Sequence, residues 1–195
     1  MKIRAEDGVG PDAHHRGDAN FTWRDFADTC NADLIKNYGN LVHRTFDLTH
    51  KYCNGSIDMS KQDKVLSGGQ SCALFTKFDI DPSFQHQRLN LIQKCESAFD
   101  HNLISTAIWA ALELSTLINK FITQSDPWKL YKLNPNDPEV TRIIGTSLAA
   151  VWSITKMLHP LIPKTTTKVL SFIQLDNAIT TVKSGFTPFF SPIKL

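Results

Sequence analysis

From Leu103 to Phe121 the residues Leu103, Ile104, Ala107, Ile108, Ala111, Leu114, Leu117, Ile118 and Phe121 recur at intervals of three and four. A strand would bury alternate residues, whereas this spacing gathers side chains only on an α-helix. The apolar residues are so numerous that the helix is expected to be buried nearly all round. It should start after Asp100-His101-Asn102, where Asp or Asn can cap, and run to about Thr123. Trp109 and Trp152, both in apolar helical patterns, are assigned to the core. A helix this apolar needs several neighbours, so the rest of the chain must supply them.

The same period recurs elsewhere. A first helix is expected from about Phe21 to Tyr52, with a break near Cys30-Asn31. It places Leu34, Tyr38, Leu41, Thr45, Leu48 and Tyr52 on one side and Lys36, Asn40, Arg44, Asp47 and Lys51 on the other. Asn54-Gly55 closes it as a left-handed stop. A second helix fits Phe84 to Phe99. After the apolar helix, Pro127 is poised to open a new turn. Asp137 caps a helix that begins at Pro138 and ends at Leu158, before Pro160. A short helix runs from Pro163 to about Ile173. Strict alternation is absent before the tail, which is expected to be extended chain. The predicted class is all-α, an antiparallel bundle of four to five helices with an extended C-terminal tail. Residues 1–20 form a linker, 21–175 the bundle and 176–195 the tail.

The outer face of the first helix is chemically odd. Asn is a poor helix former, and an Asn–Arg pair one turn apart gains no ion-pair energy. Lys36, Asn40 and Arg44 therefore point to something outside the fold. Left to local pattern alone, Arg44 would pair with Asp47 or Asp33, Asn40 would be ordinary polar surface and Trp128 a buried bundle residue. The charge balance of 21 basic and 19 acidic residues, net +2, excludes a broad basic field for non-specific polyanion binding. Cys30, Cys53, Cys72 and Cys95 are too widely spaced for a zinc or redox motif and are expected as free thiols. His14-His15 has no third ligand at a useful spacing. No apolar run is long enough to span a membrane, no signal peptide opens the chain, and a soluble intracellular protein is expected. Neither G-x-S-x-G, nor a P-loop, nor G-x-G-x-x-G is present.

One family's motifs occur here in order. Asn31-Ala32-Asp33-Leu34, Gly39-Asn40-Leu41-Val42-x-Arg44-Thr45 and His50-Lys51-Tyr52-x-Asn54-Gly55 resemble the helix that opens the anticodon-binding domain of methionyl-tRNA synthetases. Asn119-Lys120-Phe121 and Asp126-Pro127-Trp128-Lys129-Leu130 resemble its N-x-[YF] and P-W-K segment. His159-Pro160-Leu161-Ile162-Pro163-Lys164-Thr165 resembles its late P-x-x-P-x-T turn, and Gly185-Phe186 with Pro188-Phe189-Phe190 its folded-back G…P-L-F tail. Ile3-Arg4-Ala5-Glu6 and Phe21-Thr22-Trp23 resemble the connection leaving the catalytic domain. Lys36 stands where some members have Asn, a long insertion surrounds Asp7 to Gly17, and Phe189-Phe190 replaces Leu-Phe. Asp58-Met59-Ser60-Lys61-Gln62 only superficially echoes the K-M-S-K-S loop, lacking its leading Lys.

The resemblance implies an anticodon-binding module that reads the CAU anticodon of tRNA-Met. Asn40, Arg44 and Trp128 would take the base-reading roles, mainly at the first base, with Lys36 and Lys129 on phosphate or base edges. The family's H-I-G-H and K-M-S-K-S signatures and its zinc-binding insertion are not found in these residues. Catalysis, with its ATP and magnesium, is thus assigned to a missing N-terminal catalytic domain, and no cofactor or catalytic residue to this chain. A cytoplasmic monomer is expected. The competing expectation is an all-α protein-interaction module that kept the bundle and lost RNA.

Overall fold

The structure, a computed structural model, describes residues 22–58, 82–176 and 179–193. The expected linker, His14-His15, Cys72 and Met59 to Gln62 lie outside these residues.

The chain opens with α1 (Trp23–Thr29), capped by Thr22, whose hydroxyl accepts from the Asp25 N–H at 3.0 Å. The expected break at Cys30 is a change of winding. Residues Cys30–Gly39 form a π-helix that runs directly into α2 (Asn40–Cys53). The Asn40 N–H reaches Ile35 O, five residues back, as the wider coil requires. Asn54, at φ 51°, ends α2 in the left-handed conformation and Gly55 follows at φ 74°. The buried face of this long helix carries Tyr38, Leu41, Thr45 and Leu48, while Lys36, Asn40, Asp47 and Lys51 are exposed.

After β1 (Ser56–Asp58) come α3 (Pro82–Asp100), α4 (Ile104–Ser125), α5 (Pro127–Leu133), α6 (Pro138–Leu158) and α7 (Pro163–Phe172). The bundle is built around α6, which packs against α2, α3, α4, α5 and α7. Its start follows the sequence: Asp137 Oδ1 accepts from the Glu139 N–H at 2.9 Å, and Pro138 takes the first helical position. Small residues allow the close approach of so many neighbours, and Gly145, Ala149 and Ala150 are all buried. The buried hydroxyls of Ser147, Ser153 and Thr155 each donate to the carbonyl four residues back, so none costs an unmet hydrogen bond.

Two expectations for α4 are corrected. Its N-cap is Leu103, with no side-chain cap. Asn102, at φ 58°, is spent on the left-handed turn that leaves α3. Nor is the helix apolar all round in its setting. Trp109 is 48% exposed, on a strip with Glu113, Thr116 and Lys120, and is no core residue. Trp152 is half-buried against the core, with the Lys156 ammonium 5.3 Å from its ring centre.

The all-α class holds, with an addition. Strands β2 (Ile173–Asp176) and β3 (Ile179–Val182) pair antiparallel, and β1 adds to the far edge of β3, pairing Ser56 with Thr181. Beyond Gly185, at φ 78°, the chain lies against α2. Phe186 and Phe189 meet Phe46 at centroid distances of 5.3 and 5.9 Å, and Phe190 meets Tyr38 edge-on at 5.7 Å. Gly39 makes room for the last ring: a Cβ there would come within 2.9 Å of Phe190 Cδ2.

Candidate nucleic-acid interface

The π-helix and α2 run beside α4 and are fastened to it by one side chain. Asn37 Nδ2 donates to Leu112 O at 3.2 Å and to Thr116 Oγ1 at 3.0 Å, while its Oδ1 accepts from Ser115 Oγ at 2.9 Å. Asn119 Nδ2 returns the contact, donating to Asn37 O and Oδ1, both at 3.3 Å. This joint sets the neighbouring residues of the first helix at a fixed distance from α4. Between them lies a cleft of about 820 Å³.

Among the described residues the cleft is lined by three cations, Lys36, Arg44 and Lys120, with amides and hydroxyls between them and no carboxylate. That combination attracts an anion without presenting a broad basic surface. The amide of Asn40 and the ammonium of Lys36 are exposed and make no hydrogen bond or ion pair among the described residues.

Arg44 is held quite differently. Its Nη1 donates to Thr123 Oγ1 at 3.0 Å, and Thr123 in turn donates to Asn119 O at 2.9 Å. The guanidinium lies over Trp128, 5.4 Å from the ring centre, in cation–π geometry. Partial burial draws its pKa down from the usual arginine value, and the negative charge of Asp126 opposes that shift. Local pattern offered Asp47 or Asp33 as partners; the observed ones come from α4 and α5. Arg44 is thus pre-oriented, with one N–H spent on Thr123.

Trp128 owes its place to Pro127, the buried first residue of α5. It is half-buried, its ring packed partly against the core. Asp126 stands at the left-handed corner between α4 and α5, at φ 44°. Its carboxylate holds the Lys129 ammonium at 2.5 Å, so Lys129 is partnered, while its side chain remains 69% exposed. Asn40, Arg44 and Lys36 therefore share one cleft, Trp128 joins them through Arg44, and Lys129 stands aside with Asp126.

Sequence reasoning assigned no site role to Asn37, Lys120 or Thr123. Asn37 carried a signal: an amide inside an amphipathic helix, three residues before a second amide. Lys120 was hidden within the apolar helix. Among the described residues no group of three or more His, Cys, Asp or Glu side chains could hold a metal. No described helix is long and apolar enough to cross a membrane.

Comparison with known proteins agrees with this architecture. Residues 11–46 match the family described as tRNA synthetases class I (M). A methionine–tRNA ligase of Cytophaga hutchinsonii is 29% identical over 158 residues, covering 81% of this chain and 21% of the relative. One of Pelodictyon phaeoclathratiforme is 24% identical over 162 residues, covering 83% and 20%. The chain thus spans about a fifth of the length of the curated relatives it matches. The fold is shared with the free methionyl-tRNA synthetase of Mycobacterium tuberculosis, at TM-score 0.67 and 17% identity, over 90% of this chain and 35% of that one. The methionyl-adenylate complex of that organism's enzyme gives TM-score 0.65 at 18% identity, over 87% and 33%.

Proposed function

We propose, from the premise that the chain is a member of the methionyl-tRNA synthetase family, that it is an anticodon-binding module reading the CAU anticodon of tRNA-Met. In this reading it supports methionine–tRNA ligation carried out by a catalytic domain outside these residues, with ATP and magnesium used there. The module works in the cytoplasm as a monomer, and its partner is the single-stranded anticodon loop.

The observation that carries the reading is the Arg44 guanidinium lying over Trp128 beside the unengaged amide of Asn40. A splayed base can be read on its Watson–Crick edge. Cytosine presents there two adjacent acceptors, N3 and O2, and one donor, the N4 amino group. Arginine's fork of donors suits the acceptors, and an amide oxygen suits the amino group. Uracil offers an N3–H in place of the central acceptor, opposite a guanidinium that can only donate. Binding that edge therefore leaves a donor facing a donor, worth about 1–3 kcal/mol of discrimination. The pre-oriented guanidinium lowers the ordering cost of recognition. Lys36 and Lys120 would hold phosphates at the mouth of the cleft, and Lys129 would do so only by leaving Asp126.

The test is a titration of Arg44→Ala with two stem-loops that differ only in the first anticodon base, C or U. Wild type should favour C, and Arg44→Ala should lose that preference while still melting cooperatively. Equal affinity of the wild type for both loops would leave the module without its reader. Failure to bind either loop would favour the protein-interaction alternative.

A further inference from the structure

Helices α3 and α6 pack together but leave a cavity of about 220 Å³ between them. Among the described residues it shares no lining side chain with the cation-lined cleft. Cys95 and Phe99 of α3 and Trp152 and Met157 of α6 supply its apolar walls. An apolar cavity of about 150 Å³ already takes up benzene, so this one has room for a branched aliphatic or aromatic side chain.

The interior suits an apolar guest. The Cys95 thiol is pushed up to about 11 by burial, with the Glu96 carboxylate adding to the rise, and so stays protonated at neutral pH. The Ser153 hydroxyl is spent on Ala149 O, 3.0 Å away. The rim has a different character. Glu96 from α3 and Lys156 from α6 also line the cavity, and both are exposed. Lys156 is steadied over the Trp152 ring, its ammonium 5.3 Å from the centre. Neither Glu96 nor Lys156 forms an ion pair among the described residues. A carboxylate and an ammonium thus stand over an apolar floor.

A hydrocarbon would leave both charges unused. An apolar acid would set its carboxylate beside Glu96, and an apolar amine would set its ammonium beside Lys156. A free α-amino acid with an apolar side chain uses every part: its ammonium meets Glu96, its carboxylate meets Lys156, and its side chain is buried. Both of its charges stay at the rim in contact with water, so binding does not require burying a charge.

We propose that the cavity between α3 and α6 binds a free zwitterionic amino acid with an apolar side chain, at a site separate from the candidate nucleic-acid interface. Glu96 and Lys156 select for the zwitterion, and the apolar walls select for the side chain.

The experiment uses the full chain and L-leucine as the probe. The chain has four tryptophans, and the Trp152 indole N–H signal, identified by its absence from Trp152→Phe, reports on the site by NMR. L-Leucine should shift that signal saturably. Glycine has both charges and no side chain, and should bind at least tenfold more weakly. 3-Methylbutan-1-ol has the side chain without the charges, and 4-methylpentanoate and 3-methylbutylamine each keep one charge. All three should bind about fivefold or more below leucine. Glu96→Gln and Lys156→Gln change exposed positions and should each weaken leucine about three- to fivefold. Glu96→Gln should also narrow the gap between leucine and 4-methylpentanoate, and Lys156→Gln the gap between leucine and 3-methylbutylamine. Absence of a saturable shift with leucine overturns the site. So does an alcohol that binds as tightly as leucine, since that describes a crevice for any apolar group, or leucine affinity that both variants leave unchanged. Should either variant fail to fold, the ligand series on the unmodified chain decides alone. None of these outcomes depends on stem-loop binding.

Discussion

Gly39→Ala sets two magnitudes against each other. An alanine gains roughly 0.5–1 kcal/mol over glycine inside a helix. Here, however, the new Cβ would lie 2.9 Å from Phe190 Cδ2 and 3.2 Å from Leu34 O. The carbonyl belongs to the wide-wound backbone and cannot withdraw without unwinding it. The Phe190 ring can slide only by loosening its contact with Tyr38. Overpacking of this kind costs about 1–3 kcal/mol. The net expectation is a loss of about 1 kcal/mol, read as a lower midpoint in urea at unchanged slope. The double variant isolates the cause. On a Phe190→Ala background the ring clash is gone, and most of the loss from Gly39→Ala should disappear. A single Gly39→Ala variant more stable than wild type would refute the reasoning, because it would mean the tail ring does not seat against the helix.

Three further outcomes follow from local geometry. Asp137→Ala removes the carboxylate acceptor of the α6 cap, leaves the Glu139 N–H unmet, and should cost about 1 kcal/mol in the same denaturation assay. The Arg142 hydrogen bond, its largest cause, holds the Glu139 carboxyl below the usual carboxylate range. A lowered folded pKa contributes stability above the unfolded value, lost as pH falls through the folded one, so Glu139→Gln should reduce the acid-side fall of the melting temperature. Burial pushes the Cys53 and Cys95 thiols up to about 11 from 9.0. With about a hundredfold less thiolate than an unperturbed thiol at pH 8, both should be alkylated slowly by iodoacetamide in the folded protein and rapidly in urea.

Much of this fold is legible in the sequence, and particular residues show why. The three-and-four spacing and the stops at Asn54-Gly55 and Asp137-Pro138 place helices because caps and periodicity act within one turn. The winding of Cys30–Gly39 is another matter. It is stabilised by Asn37 reaching Leu112 and Thr116 on α4, contacts that no local pattern specifies. The strands were missed because β1 has three residues and β2 four, too few for alternation to show. Their partner, β3, lies far away in sequence from β1. The spacing places Trp109 in the core because an apolar helix does not reveal which of its faces lacks a neighbour, and the structure leaves it exposed. On the candidate interface, the outward Asn40/Arg44 face was visible as an amide and a cation without a helical purpose. Arg44's real partners, Thr123 and Trp128, become neighbours only when α4 and α5 turn at Asp126.

The claim that this surface reads a splayed base is tested most directly at Trp128. The ring is half-buried and touches the core, so Trp128→Leu is the better variant, keeping apolar contact while removing the flat face. Its affinity for the CAU stem-loop, measured alongside a melt confirming cooperative folding, is the decisive quantity. Loss of the ring that orients the Arg44 guanidinium predicts a weakening of about 1–3 kcal/mol, roughly 5- to 150-fold. A folded Trp128→Leu protein with wild-type affinity would contradict the account.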